Sequence, residues 1–529
     1  MKGLVKGLIA TILYALSFVE LFCVDKFSAR ITPEILNVVL ETNSRESSEF
    51  IHQYIDLGLL LSGVGVVFFI MILHICTSGC FHHLKRFLKS VFDVKCGSLL
   101  LVAKIAIVGM IILSSVLCLN SRIQLAKLML ASTVEETDRY VSNFSENTPF
   151  NNLLFSIKMH QLSNMGLDDL IAIQDAVEID SCSFTSNNII LIIGESFIRC
   201  HSQLYGYHLS TTPRQLHRRD SPGKGGRLVV FTDVISPSNL TSIVFKNMFS
   251  LYSLDSESNW SDSPLFPILF RKAGYNITFL TNQFVPTLNT DIFNVSGGLF
   301  LNEPKLSAAQ FSYRNTKTHQ YDLSLLDDYD SLKRFNSKHQ LTIFHLAGQH
   351  IYFSKRCPPH LKQFSVSDYS ERNNLDEEAK QLVADYDNAT FYNDLVVDSI
   401  IKIFEGEDAI VVYVPDHGEE CYDELQRVGR LPANNSSPEV LRQEYRIPFW
   451  IWCSERYVQK HPQLYDQISN SANRPFMTDD LPHLLLYLAG IKCVGYNEER
   501  NLISDRFNMG RKRLINGKID YDSVVLDKH

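Results

Sequence analysis

The chain has 529 residues, with 50 Lys+Arg against 58 Asp+Glu and 45% hydrophobic residues. A formal charge of −8 offers no basic surface of the kind nucleic acid requires, which argues against that class of partner. A chain this long exceeds what one hydrophobic core usually holds, so at least two structural units are expected.

Three apolar stretches come first. Leu4 to Val24 is uncharged from Gly7 to Val19, with Glu20 near its far end. Leu57 to Cys76 carries no formal charge if His74 is neutral, and Gly97 to Leu119 is apolar except for Lys104. About twenty apolar residues cross a hydrocarbon core about 30 Å thick, so an α-helical membrane domain of about three spans is expected over residues 1–120. Lys2 and Lys6 before the first stretch also suit a signal peptide, but no A-x-A cleavage site follows, and an uncleaved anchor is the reading. His82, His83, Lys85, Arg86, Lys89 and Lys95 crowd the loop between the second and third stretches, whereas Glu34, Glu41, Glu46 and Glu49 offset the fewer basic residues of the first loop. Positive-inside bias puts the N-terminus and the basic loop in the cytoplasm, so an odd number of spans exports everything after Leu119.

Residues 121–185 show helical periodicity and no catalytic motif, and read as bridging helices along the membrane or against the next domain. From Asn187 the pattern changes. Asn188 to Gly194 is a short, continuous apolar run ending in Gly, as in a buried parallel strand. Similar runs recur at Arg227–Phe231, Ile277–Leu280, Leu341–Leu346, Ala409–Val414 and Phe449–Trp452, with helical stretches at Leu265–Ala273, Asp385–Phe404 and Asp479–Ala489. This alternation predicts an α/β domain over 186–529, a sheet with helices on both faces. Reactive residues then belong just past the carboxyl ends of the strands.

Four groups of residues stand there. Glu195 follows the first strand and suits a metal, although Gly194-Glu195-Ser196 also suits a helix N-terminus. Asp416 and His417 follow the strand Ala409–Val414; a hard oxygen beside an imidazole fits Zn²⁺, and Gly418 is expected to turn the backbone sharply. The alternative is a polar turn. In Ser236-Pro237-Ser238-Asn239-Leu240-Thr241-Ser242, Thr241 or Ser242 opens a helix, where a hydroxyl either caps it or attacks a phosphorus atom. His345 and His350 lie near another strand end, placed to contact a transferred phosphoryl group or a second metal, or to sit as ordinary buried or surface histidines. Six cysteines of this part (Cys182, Cys200, Cys357, Cys421, Cys453, Cys493) form no CxxC pair, and either disulfides or buried thiols suit them.

Taken together and in order, these segments resemble the phosphoethanolamine transferases of the alkaline phosphatase/sulfatase superfamily. The likeness runs from Asn188–Ser196 with Leu204-Tyr205-Gly206-Tyr207, through Val234–Thr241, His345-Leu346-Ala347-Gly348-Gln349-His350, Tyr386-Asp387-Asn388 and Asp416-His417-Gly418-Glu419, to Met477–His483 and Leu488-Ala489-Gly490. The resemblance implies a sulfatase-like fold with Glu195, Thr241, Asp416 and His417 around Zn²⁺. It implies Thr241 as the nucleophile that becomes modified, and His345 and His350 close to the transferred group or acceptor. It further implies phosphatidylethanolamine as donor, lipid A or the lipopolysaccharide core as acceptor, and an inner-membrane, multi-pass protein with its catalytic domain in the periplasm. Two departures mark this chain. The family's third histidine, in Leu-His-Gly, is missing where the sequence reads Gly429-Arg430-Leu431-Pro432, closer to the core-modifying branch, and the family usually has five spans. A metal-dependent phosphodiesterase or sulfatase-type hydrolase is the rival reading, although no C/S-x-P-x-R motif surrounds Thr241. A non-catalytic relative would have lost a ligand or the nucleophile, and none is missing.

Overall fold

The computed structural model describes residues 2–27, 57–76, 119–130, 148–256, 260–283, 298–431 and 437–526, with isolated residues elsewhere. The chain divides into two units, Met1–Ser163 and Asn164–His529.

In the first unit, α1 (Lys2–Phe27) contains the stretch Val5–Lys26, long and apolar enough to cross a membrane. Its mid-helix acid is satisfied: Glu20 is buried and accepts from the Ile31 amide at 2.9 Å and the Asn152 side chain at 3.1 Å. The second expected span is divided. A short helix, Leu57–Leu61, ends at Ser62, whose hydroxyl accepts from the Val64 amide and so caps a new apolar helix, Gly63–Cys76, which is shorter than a span. The third expected span lies outside the described residues apart from 108–110 and its last residue, Leu119. The bridging segment forms α2 (Leu119–Leu130) and α3 (Pro149–Ala176), and the boundary between the two units falls within α3.

The second unit is built on a seven-stranded sheet. Its strands are β1 (Asn188–Gly194), β2 (Arg227–Phe231), β3 (Asn276–Thr281), β4 (Tyr313–Arg314), β5 (Gln340–His345), β6 (Ala409–Pro415) and β7 (Phe449–Cys453), in the spatial order β2-β7-β6-β1-β5-β3-β4. All pair in parallel except β7, which runs against both β6 and β2. The expectation that every such run is a parallel strand therefore fails at Phe449–Cys453. All five of its residues are fully buried, and a strand covered on both faces reads as continuously apolar whichever way it points.

Helices cover both faces, as the alternation predicts. Ile189, Leu191 and Ile193 enter one core with Phe245 of α4 (Thr241–Met248) and Leu269 of α5 (Phe266–Lys272). Ile190 and Ile192 enter the other with Val396, Val397, Ile400 and Ile401 of α6 (Glu377–Phe404). Asp376 caps α6 by accepting from the Ala379 amide, and Glu377 and Glu378 follow in the first turn, where the helix dipole favours acids. Burying each isoleucine contributes about 1.5–3 kcal/mol. Register then sets the site. Gly194 lies opposite Pro415 and Ile193 opposite His345, so Glu195, Asp416 and Leu346 leave the sheet side by side. The six cysteines of this unit are free thiols.

Candidate active site

At these strand ends Glu195, Asp416 and His417 meet, all fully buried, with one ligand atom from each within 4.8 Å of the others. Asp416 Oδ1 accepts from the Ser196 amide at 3.0 Å and the His417 amide at 2.7 Å, while Oδ2 takes no hydrogen bond and lies 3.1 Å from His417 Nε2. His417 Nδ1 is 2.7 Å from the Gly418 carbonyl, so Nδ1 carries the proton and Nε2 presents a lone pair to the cluster. Burial first, then the Arg430 charge, push the His417 pKa down to about 3, and burial raises that of Asp416. Two buried carboxylates and an imidazole lone pair facing one another repel unless a cation lies between them. The orphaned Asp416 Oδ2 and the Nε2 lone pair, which Arg430 Nη1 meets at 2.6 Å, fit a divalent ion.

Thr241 joins the same group. Its Oγ1 is 3.1 Å from His417 Nε2 and 3.4 Å from Glu195 Oε2. The reading of Thr241 as a plain helix cap does not hold. Leu240 is the N-cap of α4 and makes no side-chain cap, and Thr241 is the first helical residue, with its hydroxyl turned to the acid–imidazole cluster. The loop before it is tied down by Asn239, whose amide donates to Glu444 at 2.6 Å and to the Leu431 carbonyl at 2.8 Å. Burial pushes the Glu444 carboxyl up to about 8.

Backbone geometry holds the acids in place. Ser196 adopts a left-handed conformation, φ 53°, costly for a residue with a side chain, and its hydroxyl donates to Glu195 Oε1 at 2.7 Å. Gly348 is also left-handed, and a Cβ there would sit 2.9 Å from the Glu195 amide and carbonyl. Gly418 is needed for a different reason from the turn expected of it. Its φ is not positive, but a Cβ would fall 2.1 Å from the Gln443 carbonyl.

The two remaining histidines separate. His350 feels the charges of Glu195, Arg356, Arg430 and His417 and, chiefly through burial, has its pKa pushed down to about 3. The His345 ring packs against Phe245 and Phe279, and Nδ1 lies 3.0 Å from the Thr281 hydroxyl. Sequence reasoning missed Gln283, whose amide donates to Glu195 Oε2 at 3.0 Å and the Leu346 carbonyl at 2.8 Å. Its signal was its position, a polar residue two places beyond a buried strand.

Helix α6 braces this arrangement. The Tyr386 hydroxyl donates to the Ser196 carbonyl and accepts from the Ile198 amide, both at 2.7 Å. Asp387 binds His201 Nδ1 at 2.5 Å, while His201 Nε2 is 3.0 Å from Asp423. Cys200, His201 and Asp423 have the composition of a metal site. However, both imidazole nitrogens face carboxylates, and although burial lowers the pKa, the two acids push it up to about 10. The ring is an imidazolium with no lone pair for a metal.

Residues 187–491 match the family model described as Sulfatase, more than half of the chain, and residues 1–124 match the one described as Phosphoethanolamine transferase EptA/EptB. Phosphoethanolamine transferase EptC of Escherichia coli O18:K1:H7 (strain RS218 / NMEC) is 26% identical over 538 residues, covering 98% of this chain and 87% of that protein. Kdo(2)-lipid A phosphoethanolamine 7''-transferase of Escherichia coli (strain K12) is 23% identical over 327 residues, 60% of this chain and 54% of that one. The crystal structure of the C-terminal periplasmic domain of EptC from Escherichia coli, in complex with Zn, superposes with a TM-score of 0.55 at 25% identity, over 67% of this chain and 97% of that domain. With a transferase-type N-terminal region, a sulfatase-type sheet and end-to-end likeness to EptC, the chain belongs to the phosphoethanolamine transferase family of enzymes.

Proposed function

We propose that this enzyme moves phosphoethanolamine from phosphatidylethanolamine to a surface glycolipid, lipid A or the lipopolysaccharide core, through a phosphoethanolamine-threonine intermediate at Thr241. The observation that carries the reading is the Thr241 hydroxyl, 3.1 Å from His417 Nε2 and 3.4 Å from Glu195, beside the orphaned oxygen of Asp416. Glu195, Thr241, Asp416 and His417 would hold Zn²⁺, as the chemistry of this donor set favours. Zinc bound there would supply Lewis acidity, polarising a phosphoryl oxygen and lowering the pKa of the alcohol.

In the first step Thr241 Oγ1 forms a bond to phosphorus and the diacylglycerol oxygen leaves with the electron pair, taking up a proton. The first turn of α4 favours the anionic group there, because its dipole is positive at that end. In the second step an acceptor oxygen attacks the same phosphorus and Thr241 is released. His350, kept neutral by burial and within the field of Glu195 and His417, is the group we assign to the acceptor's proton. His345, packed on Phe245 four residues beyond Thr241, is assigned to holding α4 in place. Placement follows the same reading: a multi-pass protein of the inner membrane with the catalytic unit in the periplasm, like the EptC domain named periplasmic. The relative named for Kdo(2)-lipid A supports a glycolipid acceptor.

Mass spectrometry of envelope glycolipids, from cells with the parent protein or with Thr241→Ala, tests this. A mass increment of one phosphoethanolamine that vanishes in the variant is expected, together with labelling of Thr241 by donor. Labelling at another residue, or free ethanolamine phosphate with no modified glycolipid, would overturn it.

A further inference from the structure

We propose that Arg430 is a catalytic residue. Its guanidinium holds the non-bridging phosphoryl oxygens while Thr241 attacks, and again while the acceptor displaces Thr241. The proposal rests on the phosphoethanolamine-transfer reading above and adds a residue to it.

Arg430 stands in the segment where the family's third histidine is missing. The backbone around it is pinned on both sides: the Gly429 amide donates to the Glu420 carbonyl at 3.0 Å, and the Leu431 amide to the Glu444 carboxylate at 2.9 Å. Nη1 lies 2.8 Å from the Asn239 carbonyl and 2.6 Å from His417 Nε2, and Nε is 3.5 Å from Glu419. The Thr241 hydroxyl is 3.1 Å from that same Nε2. Guanidinium and nucleophile are therefore neighbours on one imidazole nitrogen.

Charge and geometry both point to an anion. The charges of Glu419, Glu195 and Asp416 act on Arg430, so a phosphodiester entering this acidic cleft needs fixed positive charge beside these carboxylates. The Arg430 charge acts on both His417 and Asp416. A guanidinium offers five N–H groups in a planar fork that matches phosphate oxygens. Nη1 and Nε are engaged as described, while Nη2 donates to no protein group among the described residues, leaving one end of the fork for the substrate. The lone pair that Nη1 meets on His417 is one a metal would take, which frees a further N–H for the phosphoryl group.

The test uses the full chain in detergent with a fluorescent phosphatidylethanolamine, comparing parent, Arg430→Lys and Arg430→Ala. Three quantities are read: attachment of phosphoethanolamine to Thr241, zinc retained against a chromophoric chelator, and the thermal midpoint. Arg430→Ala is expected to slow attachment by about 10²–10³-fold, the usual loss of one donor to a developing oxyanion. Arg430→Lys should fall between the two, and added methylguanidine should restore part of the rate to Arg430→Ala. Zinc retention should hold or rise, since a competitor for Nε2 is gone. Attachment at the parent rate in Arg430→Ala overturns the assignment of Arg430 alone. So does a loss in Arg430→Lys that merely tracks zinc or folded protein. A parent protein that never becomes labelled sinks the transfer reading, and this assignment with it.

Discussion

Raising the pH should unlatch the histidine that ties α6 to the active-site segment. His201 is fully buried, with Nδ1 2.5 Å from Asp387 and Nε2 3.0 Å from Asp423. Tyr207 and Tyr369 donate to the second oxygen of Asp387 at 2.8 and 2.5 Å, and Arg372 lies 3.8 Å from Asp423. Burial would lower the imidazole pKa, but the two carboxylates raise it to about 10, against about 6.5 in an unfolded chain. Because the folded value is the higher one, the stabilisation is complete below pH 6.5 and is lost as pH climbs through 10. The slope is about 1.4 kcal/mol per pH unit in that window, roughly 5 kcal/mol in full. Chemical unfolding of the detergent-solubilised chain at pH 6.5, 8 and 9.5 measures it, with His201→Gln as reference. The advantage of the parent over the variant should shrink steadily with pH. A difference that stays constant from pH 6.5 to 9.5 would show that the ring is neutral when folded, and the argument for an imidazolium would be wrong.

Asp416→Asn removes the charge of the orphaned oxygen but keeps its shape. Bound zinc, measured by elemental mass spectrometry after dialysis, should fall at least about tenfold, with the fold intact by circular dichroism. Gly348→Ala forces a Cβ to 2.9 Å from the Glu195 backbone at a left-handed φ. It should cost about 1–3 kcal/mol, read as a lowered thermal midpoint, and should weaken metal retention because Glu195 is the group displaced.

Much of the second unit is legible in the chain because buried strands announce themselves. All six apolar runs become strands of the sheet, and the strand-end rule leads to Glu195 and Asp416-His417 without any coordinates. Direction is not legible for β7, since Trp450 and Trp452 are buried on one face as completely as Phe449 and Ile451 on the other. Strand β4 escapes because two residues carry no period. In the first unit, Ser62 breaks an apolar run that composition alone treats as continuous. The cap it provides is a local hydrogen bond, which hydropathy does not register.

Side-chain convergence is the part that sequence hides. Gln283 reaches Glu195 across 88 residues; its place just past a buried strand marks it out, but the residue type does not say which carboxylate its amide will orient. Tyr386-Asp387-Asn388 shows the same limit from the other side. It is recognisable as a motif, yet none of its three side chains enters the Glu195–Asp416–His417 cluster. Tyr386 clamps the strained Ser196 turn through two hydrogen bonds, and Asp387 holds His201. Asn388 accepts from the Gln363 and Phe364 amides at 2.6 and 2.9 Å. A left-handed serine beside a fully buried glutamate costs free energy that the catalytic groups themselves do not return. A 28-residue helix, largely buried against the sheet, offsets that cost, and its polar residues Tyr386, Asp387 and Asn388 act by positioning their neighbours. Glu195, Asp416 and His417 sit at strand ends, where few residues are needed, and the larger share of recognisable sequence serves to keep them there.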